Sequence, residues 1–512
     1  MLSGTGSTIK RKSNFETPGS KSVKSNVMSS PSAPYTNGES TTIFADRTNA
    51  GQITETLNPH LPTPSSSIPS ESRIKLKANT DLSKFSYKTM SMKLSEVSEV
   101  LDDRIDEFIS LVQEHHQLED SAFGNPALQS TSEIVAVGRI ASEDKSGRLN
   151  PSSLVLETSR RTGSGFRVPL KVDALSAYEF FPGKIVALRG TNASGDFFSV
   201  TEALDIPLLG PAASHSADLD AITARLASTS STDGDVDMDG TETRPLNIIV
   251  AAGPYTTETD LDFSPFHALL DQARETSADA LILLGPFIDI EHPLIRTGNF
   301  DLPPDYPCEP DRATLTDLFK AHFSRPLQQI IADLPTVSVI VVPSVRDAIA
   351  KHVAWPQARW DRKELGLPKQ VRCVTNPVTL SLNEIVVGIC SLDTLEMVRA
   401  NEVVGGSARQ ENIMARLCNQ MIEQRSHLPV FPPPLPKIMG AKPEEGEKGE
   451  EEIEWVPMGA MLDTSYLKLS EWLNVRPDVL ITPSILTPFA KVSVCRLFSG
   501  IEANQLTVII GC

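Results

Sequence analysis

Two apolar runs, Leu246–Ala252 and Ala280–Leu284, each stop at a Gly-Pro pair. Between them Phe266, Leu269, Leu270 and Ala273 recur at helical spacing. A short apolar run, an amphipathic helix and a second apolar run predict a β-α-β unit whose strands are covered on both faces. In such folds ligands bind at the loops that follow the strand C-termini. Here those loops read Gly253-Pro254-Tyr255 and Gly285-Pro286-Phe287, which offer little chemistry.

The α/β pattern continues from residue 246 to the end. Leu315, Leu318, Phe319, Phe323, Leu327 and Ile330 predict a helix over 312–333, which Pro326 kinks or splits. Strands are expected at 337–342, 384–389 and 479–481, and a helix at 412–424. Residues 432–454, proline-rich and then glutamate-rich, predict a mobile surface insertion.

Upstream the periodicity changes twice. Leu94, Val97, Leu101, Ile105, Phe108 and Val112 recur three or four apart, which predicts a helix over 92–117 inside a helical segment, 81–130. The stripe is too short for a coiled coil and is read as core packing. Over 131–210 five short strands are expected, at 133–140, 154–157, 165–170, 183–190 and 197–200, with glycine-rich turns between them. That pattern predicts a small barrel of OB type. Such barrels often bind single strands through aromatic residues on a basic groove. Arg160, Arg161, Arg167, Lys171, Lys184 and Arg189 supply charge. Phe166, Phe197 and Phe198 are candidate nucleic-acid contacts and are equally placed to fill the barrel.

Composition adds boundaries. The chain has 512 residues, enough for two or three domains, and 40% are hydrophobic, as in an ordinary globular protein. Residues 1–80 are rich in Ser, Thr, Pro and Asn and are expected to form a disordered tail. Thr17, Ser30 and Thr63 each precede proline there and are candidate phosphosites; Lys10-Arg11-Lys12 is a minimal basic cluster of the kind found in nuclear localisation signals. Residues 211–245 read as an acidic linker. Asp235, Asp237 and Asp239 imitate the start of an EF-hand, but Leu246 stands where the twelfth-position glutamate would be, so calcium binding is rejected. The formal charge of −18 argues against a whole surface that neutralises phosphates and points to protein partners. Six cysteines without a CxxC pair argue against a zinc module and for a reducing compartment, and no run reaches membrane-spanning length.

The strand-end punctuation, GPY at 253, GPFID at 285, PSVRD at 343, NPV at 376 and TPS at 482, resembles that of the calcineurin-like metallophosphoesterases. Those enzymes hold two metal ions on DxH, GDxxD, GNH(D/E) and histidine loops, and one carboxylate bridges both ions. By that resemblance Gly253 and Tyr255 stand where Asp and His would ligate, and Pro286 replaces the bridging carboxylate. Ser344 and Arg346 lie near the places of Asn and His, and Pro483-Ser484 replaces the last histidine loop. Asp289 and Asp347 are retained and are expected to cap loops or bond backbone amides. The resemblance implies a phosphoesterase β-sandwich flanked by helices over 246–512, with its metal ligands lost, no cofactor and no catalysis.

A barrel joined to such a domain resembles the B subunits of eukaryotic replicative DNA polymerases, most closely those of DNA polymerase alpha–primase complexes. The matching stretches are FADRTNAGQITETLN at 44–58, FFPGKIVALRGTN at 180–192, VAAGPYTTETDLDFSPFHALL at 250–270, ADALILLGPFIDIEHPLI at 278–295, VPSVRDA at 342–348 and LITPSILTPFAKV at 480–492. The resemblance implies a nuclear, non-catalytic scaffold that binds the C-terminal domain of the polymerase catalytic subunit, reaches primase through the complex and touches DNA weakly or indirectly. Two departures carry expectations of their own. The chain starts inside what resembles the family's linker, after its small helical domain. Its tail, CRLFSGIEANQLTVIIGC, differs from the family's Asn-Pro-Gly segment and closing strands, so those strands are expected to be missing. Two other readings of the same residues stay open: a metal-dependent phosphoesterase or nuclease, and a single-strand binder acting through the barrel.

Overall fold

A computed structural model of the chain describes residues 44, 47, 51–60, 69, 71–143, 149–210, 245–257, 259–383, 385–433, 462–472, 474–494 and 506–511, all within one compact unit, Phe44–Cys512. Thr17, Ser30 and Thr63, the linker 211–244 and the insertion beyond residue 433 lie outside the described residues.

The chain enters with a short strand, β1 (Leu76–Ala78), and a long helix, α1 (Leu94–His116). The alternating segment then gives β2 (Ser130–Ser142), β3 (Leu154–Glu157), the one-turn helix α2 (Arg160–Gly163), β4 (Arg167–Lys171), β5 (Ala177–Phe180), β6 (Ile185–Asn192) and β7 (Phe198–Leu204). Five of these strands close a barrel in the order β2-β3-β4-β7-β6, as the OB reading expects. In β4 burial alternates residue by residue, with Val168 and Leu170 turned inward. Ile140, Leu156, Leu188, Phe198 and Val200 fill the same interior. Outside the barrel, Ile105, Phe108 and Val112 of α1 pack on Val135, Val137 and Ile185, so the helical stripe is core.

The second half alternates strand and helix: β8 (Ile248–Ala252), α3 (Ser264–Glu275), β9 (Ala280–Leu284), α4 (Pro293–Thr297), α5 (Leu315–Phe319), α6 (Arg325–Asp333), β10 (Ser338–Val342), β11 (Val371–Cys373), β12 (Val378–Leu382), β13 (Ile385–Ile389), α7 (Thr394–Asn401), β14 (Val403–Gly406), α8 (Ile413–Glu423), β15 (Val479–Thr482), β16 (Phe489–Val494) and β17 (Leu506–Gly511). A parallel four-stranded sheet, β11-β10-β9-β8, faces a mixed six-stranded sheet, β1-β12-β13-β15-β17-β16. Ile282, Leu284, Ile340 and Val342 meet Leu380, Leu382, Val387, Ile389 and Ile481 between the sheets. On the outer face of the four-stranded sheet, Leu281, Leu283, Val339 and Val341 are covered by Leu270 and Ala273 of α3 and by Leu327 and Ile330 of α6. Burial on both faces is why these strands read as unbroken apolar runs, and each fully buried side chain contributes about 1.5–3 kcal/mol.

Three expectations are corrected. The N-terminal tail is not featureless over its described part: Ile74 is buried, Arg73 pairs with Asp279 at 3.3 Å, and β1 pairs antiparallel with β12. A three-residue edge strand needs few apolar positions, so a Ser- and Thr-rich background hides it. The C-terminal tail supplies a strand after all: β17 lies between β15 and β16, drawn from the β-branched run TVII. The long helix begins only at Leu315, not at 312, behind a Thr314–Asp317 capping box; its division is as Pro326 predicts, at a π-turn over Lys320–Ser324 that places the proline in the first turn of α6.

Candidate functional site at the strand ends

Register brings the strand-end loops to one level. Ala252 and Val342 both pair with Leu284, so Gly253, Gly285 and Pro343 leave the sheet side by side. Gly253 N donates to Leu284 O and Gly285 N to Val342 O, each at 2.9 Å, which carries the ladder one step further. Both Gly-Pro bonds are cis. A Cβ on Gly253 would overlap the Pro286 carbonyl, and one on Gly285 would overlap the Asp347 carboxylate. Glycine is needed at both places because the loops touch. Tyr255 is turned into the core: its hydroxyl donates to Leu284 O at 2.9 Å, and its ring lies against Phe266, Phe287 and Phe323. Pro286 is buried and brings no donor or ligand to the site.

The two retained acids are consumed locally. Asp347, 4% exposed, accepts from Phe287 N at 2.5 Å and Ile288 N at 3.2 Å through Oδ1, and from Ser344 N at 2.8 Å through Oδ2. Burial pushes its carboxyl up to about 7, against the pull of those three amides. Asp289 takes a two-pronged contact from Arg346, with Nε–Oδ1 at 3.2 Å and Nη2–Oδ2 at 2.5 Å. The same guanidinium reaches Glu291 Oε2 at 2.7 Å. A fixed cation therefore faces these carboxylates from within the chain. His292 is turned away: its Nε2 lies 3.0 Å from Thr257 O, and its Nδ1 accepts from Leu294 N to cap α4.

The remaining loops are equally occupied. Ser344 Oγ accepts from Arg346 N at 3.2 Å, and its carbonyl accepts from Gln357 Nε2 at 3.1 Å. Asn376, fully buried, donates to Ser391 Oγ at 2.7 Å and accepts from Ser391 N at 3.0 Å. Beyond β15, Ser484 Oγ donates to Asp393 Oδ1 at 2.7 Å and Ile485 N to Asp393 Oδ2 at 2.8 Å. Among the described residues no group of three or more His, Cys, Asp or Glu side chains is arranged to hold a metal ion.

The barrel aromatics part company. Phe198 is fully buried in the barrel core and has no face to offer a base, which corrects its place among the candidate contacts. Phe197 is half-buried under the Lys171 ammonium, 3.4 Å from the ring centroid, and Phe166 is 60% exposed. Five of the six named cations are paired, Arg160 with Asp102, Arg161 with Asp106, Arg167 with Glu157, Lys184 with Glu423 and Arg189 with Glu202, while the exposed Lys171 lies over Phe197. Three of those partners, Asp102, Asp106 and Glu423, come from outside the barrel strands, which a reading of charge along the sequence does not reveal.

The barrel–sandwich contact was not legible either. Gln424, fully buried just after α8, accepts from Ile185 N at 2.8 Å and donates to Ile185 O at 2.9 Å, as a neighbouring strand would. β5 pairs antiparallel with β14, and Gly405 lies so close to Tyr178 that a Cβ would enter the ring. The signal was faint: Arg416, Gln420 and Gln424 put polar groups on the buried side of an amphipathic helix.

Residues 98–206 match a family described as the OB domain of the DNA polymerase alpha B subunit, and residues 248–491 match a family described as the DNA polymerase alpha/epsilon B subunit. The chain is 35% identical over 452 residues to the DNA polymerase alpha B subunit of Schizosaccharomyces pombe, covering 88% of this chain and 71% of that protein. It is 35% identical over 466 residues to the Saccharomyces cerevisiae protein of the same name, covering 86% and 63%. Against the Bos taurus protein it is 28% identical over 427 residues, covering 82% and 59%. The chain thus spans less than two thirds of the last two relatives. A closed OB barrel, a two-sheet sandwich and these matches together place the chain in the family of DNA polymerase alpha B subunits.

Proposed function

We propose that this chain is a non-catalytic accessory subunit of DNA polymerase alpha–primase. It binds the C-terminal domain of the catalytic subunit and supports primer synthesis at the start of DNA replication, in the nucleus. The observation that carries the reading is the fate of the strand-end acids. Asp347 is held by three backbone amides and Asp289 by Arg346, while Gly253, Tyr255, Pro286 and Ser344 bring no carboxylate or imidazole to their side. On this reading those positions are vacated ligand sites, and the sandwich survives as a rigid platform.

Co-purification tests the scaffold. The full chain is expected to co-elute with the catalytic subunit's C-terminal domain at equimolar ratio, and separate elution at micromolar concentrations would remove the proposal. The enzyme alternative is tested by metal analysis and a manganese-supplemented phosphodiester assay, in which stoichiometric metal with turnover lost in Asp289→Ala would favour it. Salt-dependent binding of short oligonucleotides that is lost in Phe197→Ala would favour the single-strand reading.

A further inference from the structure

Where the barrel meets the sandwich, a cavity of about 230 Å³ opens to solvent. It is smaller than the roughly 300–1,000 Å³ of small-molecule and cofactor sites, so it suits a single side chain. Its walls divide by chemistry. Val186, Leu204 and Ile206 form an apolar side, while Glu179, Glu411 and Glu423 line the same space. Tyr178 and Phe180, stacked with centroids 5.4 Å apart, belong to the lining too. An apolar stem that ends in a planar cation matches all three surfaces: methylenes against the aliphatic wall, the head against carboxylates and rings.

The polar groups leave room for such a head. Lys184 is committed to Glu423 at 3.0 Å, and Arg416 to Glu402 at 2.6 Å. Glu179 accepts only a neutral donor among the described contacts, Gln420 Nε2 at 2.8 Å. Gln420 is itself 1% exposed, and its Oε1 has no hydrogen-bond partner among the described residues. That orphan oxygen sits on the amide that touches the Glu179 carboxylate, behind the cavity lining, so the acceptors that face the cavity are the carboxylates of Glu179, Glu411 and Glu423. A guanidinium, with five donors in one plane, can bond a lining carboxylate through two of them and lie flat against the rings, which an ammonium cannot. Burial pushes the Glu179 carboxyl up to about 7, against the pull of Lys184 and Arg416 and with the neighbouring Glu411 and Glu423 adding to the rise.

We propose that this cavity is the socket for an arginine side chain presented by a polypeptide partner, with Glu179 as the principal carboxylate. The partner's identity alone rests on the accessory-subunit reading, which names the C-terminal domain of the catalytic subunit.

Two measurements on the full chain test it. In methyl NMR, N-acetyl-arginine amide is expected to shift Val186, Leu204 and Ile206 saturably. N-acetyl-norleucine amide should not, and the arginine response should vanish in Glu179→Gln/Glu411→Gln. Glutamine at 179 still accepts from Gln420, and the Lys184–Glu423 pair is untouched, so the variant's unfolding temperature and near-ultraviolet circular dichroism are expected to match wild type. Affinity for the catalytic subunit's C-terminal domain should fall by about tenfold or more in the same variant. Unmoved wild-type methyls overturn the socket, and so does an equal response to spermidine, which would make it a site for free polycations. Undiminished binding of the domain by the double variant overturns the socket while leaving the scaffold intact. If the wild-type chain does not bind the domain at all, the scaffold reading falls, and the arginine-amide titration alone decides the socket.

Discussion

Asp347 shows how one side chain can hold a loop cluster together. Its carboxylate ties the turn after β9 to the turn after β10 through the amides of Phe287, Ile288 and Ser344. Asp347→Ala leaves those three buried donors unpaired, and urea unfolding is expected to show a loss of about 3 kcal/mol or more. Asp347→Asn keeps one acceptor oxygen but turns an amide group toward Ser344 N–H, so its loss should be smaller, about 1–3 kcal/mol. His427 is a second residue with a predictable signature. It is buried against Trp472, with ring centroids 5.4 Å apart, and neither ring nitrogen has a hydrogen-bond partner among the described residues. Burial holds its pKa down to about 3, below the ordinary histidine value, so the folded chain keeps it neutral. The unfolded chain binds the extra proton below about pH 6.5, so stability is present above that pH and is lost as pH falls toward the folded value. His427→Phe is expected to flatten the decline of unfolding temperature between pH 6.5 and 5. An unchanged slope would assign that decline to other groups, such as His322, which burial lowers to about 4.

Among elements, the junction between α8 and β6 is the most exposed to a single change. Gln424→Ala strips partners from both Ile185 N and Ile185 O, each costing about 1–3 kcal/mol when left buried and unpaired. Limited proteolysis is expected to cut the variant faster between barrel and sandwich, and equal cutting would show that β5–β14 pairing suffices. Gly285→Ala forces a methyl against Asp347 and Ser344 and is expected to cost about 1–3 kcal/mol in denaturant unfolding. The same elements show what periodicity can and cannot reveal. Ala280–Leu284 was legible to the residue because both its faces are buried and a Gly-Pro ends it. β5 and β14 were not: AYEF and VVGG are too short to show a period, and each is a strand only because the other, far away in the chain, pairs with it. Phe198 and Phe197 are neighbours in sequence with opposite fates, set by which side of the pleat faces the barrel axis. At the candidate site the loops were legible as punctuation, but the Arg346–Asp289 fork and the inward Tyr255 hydroxyl were not, since side-chain direction is decided by tertiary contacts.

At the scale of the whole chain, the distribution of charge and the fate of the acids point the same way. A formal charge of −18, with five of the six named barrel cations tied to carboxylates, leaves little free positive surface for a phosphate backbone. Added Mn²⁺ at millimolar concentration, or its removal by chelator, is expected to move the unfolding temperature by less than about 1 °C, because the strand-end acids Asp289 and Asp347 are already held from within the chain; a saturable rise would reinstate a metal site. The Ile185–Gln424 pairing carries a mechanical corollary. Since the Gln424 amide at a helix terminus takes up the edge of β6 just beyond the end of its pairing with β7, the two modules share a girder instead of a hinge. Torque applied to the barrel would travel straight into the sandwich, and the whole would turn as one piece, like a bracket.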